Sequence, residues 1–486
     1  MVSADNNFLQ RDRETREAWL ATFGKFALDL NDDVDRSSLG STGPQAVAIG
    51  DKLSTPIPEL PLEGGPQRVV EIIEQAADAA FITVSPGYLG FVPGGALYGA
   101  ALADLISNCM NRFTGLAVES PALCRLEADV LDWLLNEFGL GHLDEARGLL
   151  TSGGSIANFC GIVTARHEHC GDDGDLRKAI AYTSSQTHHS VSKALHLAGI
   201  PVRNVRSVAV DARLRMDPKA LERSISADVD AGLQPFLVVS TAGTTNSGAI
   251  DPLGTIADIC AEMGVWHHVD AAYGGGFVLC PRGRKILAGI ERADSIVVDP
   301  HKSLFLPMGT GCLLVRDGDK LRRAHEMDAA YLADGHEGEA PSPAHYGPEL
   351  TRPYRGLRLW LSLMLYGAEA FRNTLTEKLQ LAVYFHEKLQ GLRDDRDLPI
   401  EILEAPQLST VTFRLQRAAS ESLADWNDRN IDFINRINAM GRVFLSKTSL
   451  PVIDGAAQTL RVCVLNYRTR KEQIDACLAA IEQAIE

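Results

Sequence analysis

Two neighbouring stretches govern how the whole chain is read: Val265-Trp-His-His-Val-Asp270-Ala-Ala-Tyr-Gly-Gly-Gly276, and beyond it Ser295-Ile-Val-Val-Asp-Pro-His-Lys302. Each starts as a short apolar, β-branched run, which reads as a buried strand when Gly or Pro bounds it. Each ends on a reactive side chain, an acid in one and a lysine in the other. A lone acid at a strand end is commonly a turn former. Here Ala271 and Ala272 and three glycines follow Asp270, leaving room for something flat to lie against the backbone. Lys302 sits beside His301, just past a run that should be buried. A strand-end lysine reaching water is the ordinary case. A partly desolvated one has a lowered pKa and can form a Schiff base with a carbonyl.

Outward from these stretches, residues 96–365 alternate between helical patterns and short β-rich strings. Candidate strands are Arg147–Leu150, Ala179–Thr183, Phe236–Ser240, Val265–Val269, Ser295–Val298 and Gly311–Val315, with helices at Ala157–His167, Ser190–Ala198 and Pro252–Met263 between them. Such alternation gives a mostly parallel sheet with helices on both faces, whose ligands bind at the carboxyl ends of the strands. Residues 1–95 open with an amphipathic helix (Trp19, Leu20, Phe23, Phe26, Ala27, Leu30) and continue as a proline-bearing arm, expected to lie across a partner subunit or on its own domain. Residues 366–486 change to an α+β order. A long helix (Tyr366–Leu389) leads to strands at Pro399–Leu403 and Ser409–Leu415, then a helix near Asp425–Met440, a strand near Thr459–Leu465 and a terminal helix, Lys471–Ile485. That order implies a smaller separate domain.

Two more groups fall after strands. Thr151-Ser-Gly-Gly-Ser155 joins a strand to a helix, where free backbone N–H groups and the helix dipole favour a phosphate. It lacks the Lys of a nucleotide-binding loop and the G-x-G-x-x-G spacing. His188, in Ser184-Ser-Gln-Thr-His-His-Ser190, begins a helix and is suited to facing a flat ring. Adjacent histidines diverge on a helix, and neither His167/His169 nor His267/His268 has zinc-ligand spacing, so no metal is expected. A phosphate cradle, a flat slot, an acid at its end and an imine-forming lysine together describe a site for pyridoxal 5′-phosphate, which needs its phosphate, ring nitrogen and aldehyde each held.

The composition narrows the function classes. The chain has 486 residues, more than one core usually organises, and 63 acidic against 47 basic residues give a net charge of -16. Such a surface repels nucleic acid and anionic membranes. No apolar run is long enough to span a bilayer, and the polar N-terminus is unlike a secretion signal. Nine cysteines without a CxxC pair fit reduced thiols in a cytoplasmic protein.

The order of these residues resembles the group II pyridoxal-phosphate-dependent amino acid decarboxylases, nearest their aromatic-L-amino-acid branch. The resemblance is carried by HVDAAYGG with DPHK beyond it, by GFVPGGALYGAALADLI, NRFTGLAVESPALCRLEADVLDWL and PELTRPYRGLRLWLSLMLYG, and for the branch by SSQTHHSV and STAGTTNSGAIDPL. It runs from about Tyr88 to Gly367 and more loosely to the end. It implies pyridoxal-phosphate fold type I (aspartate aminotransferase-like), with a mostly parallel seven-stranded sheet in the large domain and a small α+β C-terminal domain. It also implies a homodimer with shared active sites and decarboxylation of an L-amino acid, aromatic or bulky, to the amine and carbon dioxide. Carried over by position, Lys302 would bond the cofactor aldehyde, and Asp270 would pair with the ring nitrogen. His188 would stack on one ring face, and Ala272 would pack the other. Gly154, Ser155 and Thr245 would contact the phosphate side, with Asp299 and His301 on the lysine loop and His301 able to carry protons. Phe91, Val92, Pro93 and Gly94 would form the substrate pocket.

Three departures stand out: Ile156 where relatives carry Glu, Ser303 where they carry Trp, and the loop Tyr331–Tyr346, read as a mobile lid on Gly335, Gly338, Pro341 and Pro343. Relatives place there a tyrosine that returns a proton to the α-carbon, and its loss favours oxidative deamination to an aldehyde. Tyr346 is the candidate for that acid. The alternatives are therefore an aldehyde synthase, a related lyase or aminotransferase that keeps the carboxylate, and a non-catalytic cofactor-binding relative.

Overall fold

The computed structural model describes residues 9–34, 39, 44–54, 56–326 and 341–485. Its larger sheet contains β1 (Arg147–Thr151), β2 (Ala179–Ser184), β3 (Val205–Val208), β4 (Gln234–Thr241), β5 (Trp266–Asp270), β6 (Ser295–Val298) and β7 (Gly311–Val315), in the order β1-β7-β6-β5-β4-β2-β3. Pairings from β6 through β5, β4 and β2 to β3 are parallel, while β7 runs against both its neighbours. Six strands thus point the same way, and their carboxyl ends share one edge. Strands β2, β5 and β6 are buried throughout their length, which is why they read as continuous apolar runs rather than as alternation.

Six expected strands are present within one or two residues at each end. The seventh, β3, sits at the sheet edge, and its VRSV sequence is mostly half-exposed, so no apolar run marks it. One boundary shift matters for function. The helix after β1 is Gly154–Cys170 and starts three residues before the expected position, so its first turn follows directly on the Gly153–Gly154 turn. No side chain caps it, which leaves first-turn N–H groups for a ligand.

A second, antiparallel sheet has β8 (Ile400–Ile402), β9 (Thr410–Leu415), β10 (Ser446–Val452) and β11 (Gly455–Cys463) in the order β10-β11-β9-β8. Leu423–Ala439, Lys471–Ile485 and the second half of Gly356–Arg396 close its core around Phe385, Phe413 and Phe433. The Gly356–Arg396 helix is broken at Gly367, whose φ of 73° only glycine adopts without strain. Its residues up to Leu379 pack on the core of the larger sheet, and those from Leu381 onward pack on the small sheet.

The segment before the large domain is tied to this small sheet. Leu89 donates its N–H to Phe444 O (2.9 Å) and accepts from the Cys463 N–H (2.8 Å), while Tyr88 stacks on Phe444 at 5.0 Å between ring centroids. Further toward the N-terminus, the helix Arg13–Asp33 buries none of its residues; Trp19 is 41% and Leu20 59% exposed. No helix among the described residues is long and apolar enough to cross a membrane.

Candidate active site

The carboxyl ends of five parallel strands deliver one set of side chains. The turn after β1 gives Gly154 and Ser155, and β2 leads to His188 as the N-cap of His189–Leu197. Thr245 follows β4. Asp270 ends β5 with Ala272 two residues on, and β6 is followed by Asp299, His301 and Lys302. All nine line a single cavity of about 250 Å³.

Asp270 is buried, and each of its oxygens takes one N–H: Ala272 N on Oδ1 at 3.1 Å and Asn158 Nδ2 on Oδ2 at 3.0 Å. Neither donor is a cation, and a buried carboxylate calls for one. Lys302 Nζ lies 2.8 Å from Asp299 Oδ2, while Asp299 Oδ1 has no hydrogen-bond partner among the described residues, and neither has Thr241 Oγ1 on the same wall. A Cβ on Gly154 would fall 2.9 Å from Asp299 Oδ2 and 3.2 Å from the Ala272 methyl, so glycine keeps this floor open. An uncapped helix start, an anion lacking its cation, a lysine amine and unpaired buried oxygens fit pyridoxal phosphate in size and chemistry.

His188 Nδ1 accepts from the Ser190 N–H at 3.3 Å. Burial lowers its pKa, opposed by the charge of Asp270. The ring is therefore neutral near pH 7, with its proton on Nε2. His301 presents the other nitrogen: Nδ1 donates to Thr310 O at 2.6 Å, and Nε2 lies 3.7 Å from Asp299 Oδ2.

The remaining sequence candidates lie outside this cavity. Tyr346 lines a separate one of about 210 Å³ with Arg125, Arg147, Leu149, Pro341 and Pro343. Of the expected lid, residues 331–340, with Gly335 and Gly338, fall outside the described residues. Phe91 is 56% exposed and adjoins Phe444, and Val92 and Pro93 follow it; a Cβ on Gly94 would lie 2.9 Å from His301 O, so this segment passes against the lysine-bearing turn without lining the cavity. Of the departures, Ile156 does line the cavity, whereas Ser303 is buried under Gly276 and accepts its N–H at 3.2 Å. Among the described residues no group of three or more His, Cys, Asp or Glu is placed to hold a metal ion. Sequence reasoning missed Asn158 and Ser190. Asn158 lies one helical turn beyond Gly154, and Ser190 two residues beyond His188, and only the placed strands bring them to Asp270 and the His188 ring.

A family model for the pyridoxal-dependent decarboxylase conserved domain matches residues 67–416. The chain belongs to the pyridoxal-dependent decarboxylase family. Among its relatives, an aromatic-L-amino-acid decarboxylase of Bacillus atrophaeus is 34% identical over 392 residues, covering 80% of this chain and 79% of the relative. A phenylacetaldehyde synthase of Arabidopsis thaliana is 30% identical over 377 residues, 75% of this chain and 76% of the relative. The crystal structure of Oryza sativa TDC with PLP and tryptamine superposes with a TM-score of 0.89 at 28% identity, covering 98% of this chain and 99% of that one. This decarboxylase therefore has fold type I and is a pyridoxal-phosphate-dependent carboxy-lyase that releases carbon dioxide from an amino acid.

Proposed function

We propose that this decarboxylase converts an aromatic L-amino acid to its amine, with Lys302 as the residue that bonds the cofactor. The observation that carries this is the convergence of Lys302 Nζ, the Asp270 carboxylate held by neutral donors alone and the uncapped Gly154–Ser155 helix start on one buried cavity. The aromatic preference is supported by the names of the relatives.

Pyridoxal phosphate, when bound, supplies the electron sink for the pair freed as the α-carboxylate leaves as carbon dioxide. The chain's own residues do the rest. The first turn of Gly154–Cys170 receives the phosphate with Ser155 and Thr245 nearby. Asp270 holds a cationic ring nitrogen, and Asn158 and Ala272 fix the carboxylate that does so. Neutral His188 and the Ala272 methyl bound a flat slot. His301, which lines the cavity, carries a proton at the reacting centre.

The substrate loses its carboxylate and gains one proton at the α-carbon, and a second subunit bears on where that proton originates. Tyr346 packs away from its own chain's cavity, so a part for it in proton return requires reach across a dimer. The helix Arg13–Asp33 supports such a dimer: Trp19, Leu20, Leu28 and Leu30 are exposed, and a groove of about 1040 Å³ runs between it and Gly65–Asp78. A cytoplasmic location is the matching expectation from the nine unpaired cysteines.

The test is carbon dioxide release from the twenty amino acids, ornithine, 2,4-diaminobutyrate and dihydroxyphenylalanine, with amine, ammonia and peroxide measured together. Amine matching carbon dioxide on an aromatic substrate is expected. Release from glutamate or diaminobutyrate alone would overturn the aromatic assignment. Ammonia and peroxide in step with carbon dioxide would make it an aldehyde synthase, as the Arabidopsis relative is named.

A further inference from the structure

Behind the cavity, a line of buried polar side chains runs from β5 and β6 to the two residues that face the cofactor slot. Trp266 donates its indole N–H to Ser295 Oγ at 2.8 Å. Ser295 Oγ is 2.7 Å from His268 Nδ1, and His268 Nε2 is 2.9 Å from Asn158 Oδ1. Asn158 Nδ2 reaches both Asp270 Oδ2 at 3.0 Å and Ser190 Oγ at 3.1 Å, and Ser190 Oγ lies 2.7 Å from His188 Nδ1. Trp266, Ser295, His268 and Asn158 are all at most 2% exposed, so water does not compete for these bonds.

The direction of every proton along this line is determined. An indole nitrogen only donates and a carboxylate only accepts, so Ser295 accepts from Trp266, while Asn158 turns Nδ2 to Asp270 and Oδ1 to His268, whose Nε2 must donate and whose Nδ1 then accepts the Ser295 hydrogen. That places the His268 proton on Nε2, aimed at Asn158, whose carbonyl must face it. The amide nitrogen of Asn158 then points the other way, with one hydrogen for Asp270 and one for Ser190. The far end gives the same answer independently: the Ser190 backbone N–H donates to His188 Nδ1, which is therefore an acceptor. His268 is held neutral, with burial lowering its pKa to about 4. Gly161, one turn beyond Asn158, makes space for the imidazole, since a Cβ there would sit 2.6 Å from His268 Cε1.

We propose that Trp266, Ser295, His268 and Asn158 are positioning residues that fix the Asp270 carboxylate and the His188 tautomer in the state the cofactor meets. None of Trp266, Ser295 and His268 lines the cavity; they act through Asn158. If the indole donor or the serine hydroxyl is removed, the His268 proton can move to Nδ1. The Asn158 amide then loses its reason to face Asp270 nitrogen-first, and an oxygen turned toward the carboxylate repels it. This rests on the reading that Asp270 pairs with the ring nitrogen.

The test compares Ser295→Val with Ser295→Thr, which have the same shape and differ in the hydroxyl, and adds Trp266→Phe and Asp270→Ala. Relative to Ser295→Thr, Ser295→Val should lower kcat about tenfold with KM nearly unchanged and raise the Kd of the apoenzyme for pyridoxal phosphate about tenfold, the size of one lost hydrogen bond to a charge. The visible absorption band of the lysine-bound cofactor should weaken in parallel, and Trp266→Phe should repeat this pattern against wild type. Equal kcat, cofactor Kd and band in the Val and Thr variants, with Trp266→Phe matching wild type, overturns the relay. If Asp270→Ala also leaves the cofactor Kd and band unchanged, the assignment of Asp270 itself fails. If Asp270→Ala loses both while the relay variants do not, the relay alone is wrong.

Discussion

Lys302 and Asp270 end up on one wall because β5 and β6 are parallel neighbours, paired from His268–Ser295 to Asp270–Val297. Their replacements should fail in different ways. Lys302→Ala should leave no protein-bound cofactor after borohydride reduction, read by mass spectrometry; an adduct of unchanged yield would place the covalent residue elsewhere. Asp270→Asn keeps the shape and removes the charge proposed to hold a cationic ring nitrogen. It should lower kcat by roughly 10²–10³-fold, the scale of losing one preorganised electrostatic partner. Steady-state kinetics with saturating cofactor checks this, and an unchanged kcat would contradict it. Both residues were legible in the sequence because each terminates an apolar run, and a charge there needs a reason. Asn158 and Ser190 were not, because an amide and a hydroxyl carry no sequence signal until the strands that face them are placed.

Helix Gly154–Cys170 carries the proposed phosphate cradle at its first turn, Asn158 at its second and Gly161 just beyond, so its seat on the sheet sets the whole site. Gly161→Ala would push a methyl against His268 Cε1 and Nδ1, at 2.6 and 2.9 Å, in a core without slack. It should cost about 1–3 kcal/mol by overpacking, visible as a lower denaturation midpoint, and weaken cofactor binding as the helix shifts. A variant as stable as wild type would mean that the helix seat is adjustable. The same scale shows what sequence reading could and could not recover among the elements. Strands β1, β2 and β4–β7 were legible because burial on the sheet forces apolar runs. Strands β3 and β10 were not, since both lie at sheet edges and carry exposed residues, β10 alternating with Lys447 and Ser449. The helix Gly356–Arg396 was expected only from Tyr366, because its first turns hold arginines that serve the fold: Arg358, for instance, pairs with Asp104 at 2.6 Å.

For the whole molecule, buried imidazoles set a pH limit on stability. Burial lowers His267 to about 3 and His268 to about 4, from 6.5 when exposed. Between those values the unfolded chain binds protons that the folded chain refuses, so stability is complete above about pH 6.5 and falls as pH drops toward 4. Asp251, raised to about 6 by burial, and Asp294, also raised by burial, work in the opposite sense, but they are two groups against the lowered His169, His188, His267, His268, His325 and His386. Urea midpoints should fall from pH 7.5 to pH 5, and a rise would refute this balance. The exposed arm predicts self-association: Leu20→Asp with Leu30→Asp should shift sedimentation toward monomer and reduce activity with it. A fully active monomer would remove the need for a second subunit. One more consequence follows from the way Leu89 is bonded to Phe444 and Cys463, and Gly95 O to Arg468 Nη1 at 2.9 Å. During synthesis, the stretch beside the lysine turn lacks its full set of partners in the small sheet and beyond it, Phe444, Cys463 and Arg468, until residue 468 has left the ribosome. The large domain can form its sheet early, yet a chain halted shortly before that point would hold nearly every reactive side chain and still lack a finished wall.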